Sequence, residues 1–157
     1  MAVGLVNDAC HTAPGQTVIS GEREAVAAAV DACEDLGGGT VPLPVTIPFH
    51  CELLRPIVQP FARLVEAAPI VPPALPVIDN VTAQPFSDAA SVGRSLVAQL
   101  TAPVRWEESA RCLVNAGTER FIQRGPGDHL LGFVRRIARG ARYETFERAA
   151  ASVAPEH

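Results

Sequence analysis

At 157 residues, with 48% hydrophobic side chains, the chain has the length of one domain or a large piece of one and is too apolar for disorder. A formal charge of −4 with mixed signs gives no electrostatic footprint for nucleic acid, and no apolar run approaches the ~20 residues that span a bilayer. All 13 basic residues are arginine, which excludes Schiff-base or lysine-nucleophile chemistry within these residues.

Aromatic residues are only 5%, so the expected core is built from Val, Leu, Ile and Ala. The opening "MAVGLVNDAC" has neither a basic n-region nor a long apolar h-region and is not expected to be a signal peptide. Cys10, Cys33, Cys51 and Cys112 lie apart without C-x-x-C spacing, which predicts reduced thiols in a cytoplasmic protein. The sequon "NVT" at 80–82 is accordingly read as chance.

In chain order, "VGLV" (3–6) predicts a first strand and 7–16 a loop, and the β-branched "TVIS" (17–20) predicts a second strand. Ser20 is the expected cap of a helix over 21–36, whose face carries Ala25, Val26, Ala29, Val30 and Cys33 and which "GGG" (37–39) stops. "TVPLPV" (40–45) reads as a proline-bearing edge strand. Residues 51–67 predict a helix that starts late or kinks because of Pro56 and Pro60. An extended stretch, 69–76, leads to a buried strand at 77–81. Helices are expected over 88–101 and 105–116, a strand over 120–125, and a helix over 128–137 after "GPG". Residues 140–157 read as a tail with one or two helical turns. Alternating strands and helices on short connections indicate an α/β fold with a parallel layer.

His50, at the end of the proline-bracketed run "PVTIPFH", is the first candidate for chemistry. A histidine there either closes a buried strand or acts as an acid/base, and position alone leaves both open. "CH" (10–11) and "HC" (50–51) would supply a zinc set, but adjacent side chains on extended backbone point apart, so no metal site is expected. Gly125-Pro126-Gly127 opens a helix whose amides suit an anion, yet a tight turn explains the glycines without any ligand and Asp128 would repel phosphate, so no anion site is expected. No serine lies in a G-x-S-x-G elbow, and Cys51, sequence-adjacent to His50, has poor geometry for a nucleophile–base pair.

Five segments together point further: "APGQTVISG" (13–21), "PLPVTIPFHCELLRP" (42–56), "PVIDNVTAQP" (76–85), "LVAQLTAPVRWEES" (96–109) and "RFIQRGPGDHLLGFVRRI" (120–137). In the same order they resemble the C-terminal half of malonyl-CoA:acyl-carrier-protein transacylases, from about residue 3 to residue 137. The acyltransferase domains of polyketide and fatty-acid megasynthases are the nearest neighbours of that family. In it, a serine in a G-H-S-x-G elbow attacks the malonyl thioester of CoA while a histidine takes the proton. Malonate then passes to the phosphopantetheine thiol of a carrier protein. No bound cofactor is implied; the substrates are malonyl-CoA and the phosphopantetheinyl carrier protein.

By this resemblance His50 is the general base, the main-chain carbonyl of Gln99 orients its ring, and Phe49 influences which acyl group is accepted, a bulky ring leaving less room for an α-methyl branch. The family's elbow serine, malonate-binding arginine and oxyanion-hole glutamine belong upstream of the matched segments, so the resemblance implies a base without its nucleophile. It also implies three divisions: half of a ferredoxin-like α+β subdomain (1–45), the C-terminal part of the α/β acyltransferase domain (46–139) and a tail (140–157). "NDACHTAPGQ" is longer than usual in the family, Cys51 stands where serine is usual, and Asp128 where lysine is common. The expected partners are an acyl carrier protein and a missing N-terminal half bearing G-H-S-x-G. The alternatives are an inactive acyltransferase-like module that binds a carrier protein or completes another protein, and a truncated reading frame.

Overall fold

The computed structural model describes residues 4–151. Its N-terminal element is an antiparallel hairpin of β1 (Val6–Ala13) and β2 (Gln16–Gly21), with Ala13 opposite Gln16 and Val6 opposite Gly21. Pro14 and Gly15 make the two-residue turn. Proline fixes the first position, and Gly15 adopts φ +69°, which a side chain would resist. At the other end, a Cβ on Gly21 would sit 2.2 Å from the Leu5 carbonyl oxygen, so only glycine lets the strands approach there. The residues expected as a loop at 7–16 are therefore mostly strand, and β1 also uses its second edge. His11 N–H donates to the Val104 carbonyl (2.9 Å) and Val104 N–H to that of Ala9 (2.9 Å). Val3, the start of the expected first strand, lies outside the described residues.

Helix α1 (Arg23–Asp35) follows directly. Ser20 does not cap it; it stays in β2 opposite Asn7, and Glu22 occupies the cap position without a side-chain bond. A long extended stretch then runs to a 3-10 turn, Glu52–Leu54, and helix α2 (Arg55–Ala67). Pro56 falls in its first turn, where no N–H is needed, and the helix continues through Pro60. Helix α3 (Ala89–Ala98) begins with a capping box in which Asp88 accepts from Ser91 N–H (2.6 Å) and Ser91 Oγ accepts from Asp88 N–H (3.2 Å). Helix α4 (Trp106–Asn115) packs against β1.

Strand β3 (Arg120–Gln123) pairs in parallel with β4 (Arg142–Thr145), Phe121 opposite Tyr143, and α5 (His129–Ile137) forms the crossover between them. A short helix, α6 (Phe146–Ala151), continues from β4. The stretch expected as a tail thus contains a strand and a helix, while 152–157 lie outside the described residues. Arg135 lies over the Tyr143 ring (5.8 Å) and Arg124 over that of Phe146 (5.2 Å). Arg136 on α5 reaches back to the hairpin tip, donating to the Pro14 carbonyl (2.6 Å) and to the Gln16 side chain.

Two expected strands do not form as such. Residues 40–45 run without sheet partners, since Pro42 and Pro44 supply no N–H for a ladder. At 77–81 pairing reduces to an isolated bridge between Ile78 and Pro85 across a closed loop.

Burial also differs from expectation. The buried apolar side chains among the described residues are mostly alanines, with Leu131 and Val134 the large exceptions. By contrast Val41, Leu43, Val45, Ile47 and Phe49, every second residue of one extended stretch, are all exposed. An exposed apolar ridge of this kind is a site of association or aggregation. The purified chain is therefore expected to self-associate with rising concentration, as measured by sedimentation velocity. A monomer that unfolds in one sharp cooperative transition would contradict this.

Candidate active site

His50 ends the extended ridge and adopts φ +57°, a left-handed conformation that is uncommon for any residue with a Cβ. Such a backbone costs on the order of 1–3 kcal/mol and persists where surrounding contacts over-determine it. Those contacts come from two sides. On one, His50 Nδ1 lies 2.7 Å from the carbonyl oxygen of Gln99, at the C-terminal end of α3. A carbonyl only accepts hydrogen bonds, so Nδ1 carries the hydrogen and, in the neutral ring, Nε2 keeps its lone pair.

On the other side, the next two residues are held by Asn7 in β1. Its Oδ1 accepts from Cys51 Sγ (3.2 Å) and from Glu52 N–H (3.0 Å). Cys51 is fully buried at 0% exposure, which anchors the turn while His50 itself remains half-buried. Phe49 is 50% exposed, with its ring tilted at 47° to the imidazole and 6.5 Å from it between centroids. The structure thus brings His50, the Gln99 main chain and Phe49 together at one surface.

The position of Gln99 is set by a second polar cluster. Asp79, 5% exposed, accepts from Val81 N–H (2.9 Å), Thr82 Oγ (2.8 Å) and the buried Ser95 hydroxyl on α3. Four residues after Ser95, Gln99 N–H donates to the Ser95 carbonyl (2.9 Å). Burial works against the ionised Asp79 carboxyl, but the bonds from Ser95, Val81 and Thr82 together prevail and hold it below the ordinary aspartate value. The same loop closes on itself through Asp79 N–H to Gln84 (2.8 Å) and Ala83 N–H to Asp79 (2.9 Å), with Ala83 at φ +56°.

Sequence reasoning missed Asn7 and Asp79. Asn7 fell in an expected loop, and an asparagine near a strand end is too common to single out. For Asp79 a signal existed: Asp followed by Asn, Thr and Gln is a loop-stapling composition.

The other candidates lie elsewhere. Cys10 and His11 are in the hairpin, where burial raises the Cys10 thiol pKa and His11 Nε2 sits 3.7 Å from Asp8. Among the described residues no group of three or more His, Cys, Asp or Glu is placed to hold a metal, and no helix is long and apolar enough to cross a membrane. At the Gly-Pro-Gly turn, Gly125 (φ +118°) and Gly127 (φ +78°) need glycine for their backbone. There Gln123 Nε2 donates to the Gly127 carbonyl (2.9 Å) and its Oε1 accepts Leu131 N–H (3.2 Å), so a side chain of the protein occupies the start of α5.

No family model matches the chain. The malonyl CoA-acyl carrier protein transacylase of Salmonella typhimurium is 39% identical over 134 residues, which are 85% of this chain and 43% of that protein. Among solved structures, an acyl carrier protein S-malonyltransferase from Vibrio cholerae superposes with a TM-score of 0.86 at 33% identity, covering 90% of this chain and 47% of the other. A malonyl-transacylase in complex with a type II polyketide acyl-carrier protein gives the same TM-score at 34% identity, over 92% of this chain and 46% of its own. The chain therefore spans less than half the length of these three relatives. It is a homologue of the malonyl CoA-acyl carrier protein transacylases, shares their mixed α/β fold, and corresponds to a part of one that is consistent with the C-terminal part.

Proposed function

We propose that this chain supplies the general-base portion of a malonyl transfer from CoA to the phosphopantetheine thiol of an acyl carrier protein, in fatty-acid or polyketide synthesis. The observation that carries the reading is the 2.7 Å contact between His50 Nδ1 and the Gln99 carbonyl, which leaves Nε2 as the free base. In this scheme Nε2 takes the proton of a serine hydroxyl as its oxygen attacks the malonyl thioester. The imidazolium returns that proton to the departing CoA sulfur, and the same two transfers run in reverse order with the carrier thiol. A neutral carbonyl fixes the tautomer without neutralising the imidazolium, so charge stabilisation falls to oxyanion donors outside these residues.

None of the six serines lies in a G-x-S-x-G elbow, so the nucleophile belongs to other sequence. The hairpin with α1 is the corresponding piece of a small subdomain, and the exposed ridge 41–49 favours a complementing polypeptide as its partner. The same ridge favours the second reading, a module that docks without catalysing. Mixing the chain with an N-terminal polypeptide carrying G-H-S-x-G and assaying malonyl transfer separates the two. Transfer from the mixture and from neither part alone is expected; binding without transfer leaves only docking.

Phe49 borders the histidine and is half exposed, so shortening it should open space without unfolding the chain. In the reconstituted pair, Phe49→Ala is expected to raise the kcat/KM of methylmalonyl relative to malonyl thioester by about tenfold, the scale of one branch methyl. Competition between the two thioesters checks it; an unchanged ratio removes Phe49 from selectivity.

A further inference from the structure

We infer that Asn7 is a positioning residue for His50, acting as a latch on the backbone that follows it. The inference rests on the reading of His50 as the base. Three observations converge. His50 sits at φ +57°, a conformation that relaxes toward extended or helical backbone unless held. A ring bond to Gln99 fixes the imidazole at one point and does not by itself set the φ of the main chain behind it. The Asn7 Oδ1 bonds to Cys51 Sγ (3.2 Å) and Glu52 N–H (3.0 Å) fix the two residues immediately after His50 to a strand more than forty positions away in sequence.

That strand is a good fixed point. β1 is bonded along both edges, to β2 and to Val104, so Asn7 transmits a rigid reference to the turn. One carbonyl oxygen with two lone pairs serves both donors, which an apolar side chain at position 7 would not reproduce. The burial of Cys51 means that loss of the acceptor leaves its thiol with no water to replace the bond. Relaxation of the turn would swing the imidazole away from the Gln99 carbonyl and release the tautomer constraint.

The test uses the 157-residue chain with nitrogen-15 in its histidines, His50 being assigned by its disappearance in His50→Gln. At about pH 8, where imidazole is neutral, the share of the Nδ1–H tautomer is read from the ring nitrogen shifts. Asn7→Leu is expected to lower that share at least twofold, whereas Asn7→Asp, which keeps the acceptor oxygen, retains it. A folded Asn7→Leu chain with an unchanged share overturns the inference. A second measurement needs no variant. The Glu52 amide of the unaltered chain should exchange with deuterium at least tenfold more slowly than exposed amides of the same ridge, and an unprotected Glu52 amide also overturns it.

Activity separates this from the reading beneath it. In a reconstituted pair that transfers malonate, Asn7→Leu should lower kcat about tenfold with KM unchanged, within the range that misplacing a catalytic group by about 1 Å produces. If the unaltered pair transfers nothing, the base reading fails, while the tautomer and exchange measurements still decide the latch.

Discussion

Replacing His50 with alanine should lower kcat for malonyl transfer in the reconstituted pair by about 10²–10⁴-fold, the contribution of a positioned general base. The magnitude follows from what remains. A serine without a proton acceptor attacks as a neutral hydroxyl, and the ring that the Gln99 carbonyl orients is gone. KM should change little, because the ring touches the reacting proton rather than the bulk of the acyl donor. Binding of the two polypeptides, followed by fluorescence anisotropy, should survive the substitution. A reconstituted enzyme that keeps wild-type kcat without this ring would remove His50 from the mechanism. The choice of replacement matters: alanine strains the backbone at φ +57° as histidine does, so asparagine, which tolerates that region better, is the companion variant.

Asp79→Ala is expected to cost about 3 kcal/mol of stability at neutral pH, because it strands donors on Val81, Thr82 and the buried Ser95 together. Urea unfolding checks it. Its pH dependence has a definite sign. The folded carboxyl titrates below its unfolded value of about 3.9, so the stabilisation is fully present above that value and disappears as pH falls through the lower folded one. The gap between the native chain and Asp79→Asn should accordingly be constant from neutral pH down to about pH 5 and shrink on further acidification. A gap that stays the same at pH 2 would show that the charge contributes nothing. Since Ser95 leads to Gln99 through one helical turn, the same variant should also blur the tautomer of His50.

The helices were legible wherever an apolar stripe ran for three turns. Those expected over 105–116 and 128–137 appear as α4 and α5 within a residue or two at each end. Strands were harder because their identity lies in a partner. "RYET" has no apolar alternation to announce it and becomes β4 through its parallel pairing with β3. "NDACHTA" shows no two-residue alternation because irregularities in the pairing with β2, between Asp8 and Cys10 and between His11 and Ala13, put Ala9, Thr12 and Ala13 at its buried positions. Conversely "TVPLPV" has strand composition, and its prolines deny it a ladder. The contact between His50 and Gln99 spans 49 positions, and no local spacing encodes such a distance. Only the ordered likeness of whole segments pointed to it, and likeness of that kind carries no sign of Asn7, whose role depends on a turn geometry that exists only in three dimensions.

The doubly bonded strand β1 has a consequence for biosynthesis. Its hairpin partner leaves the ribosome within ten residues, but Val104 and Arg136, which secure its other edge and its tip, are made much later. At roughly 5–20 residues per second, the nascent hairpin waits on the order of ten seconds with an open flank. During that interval the open flank can pair with a neighbouring nascent chain before Val104 is available.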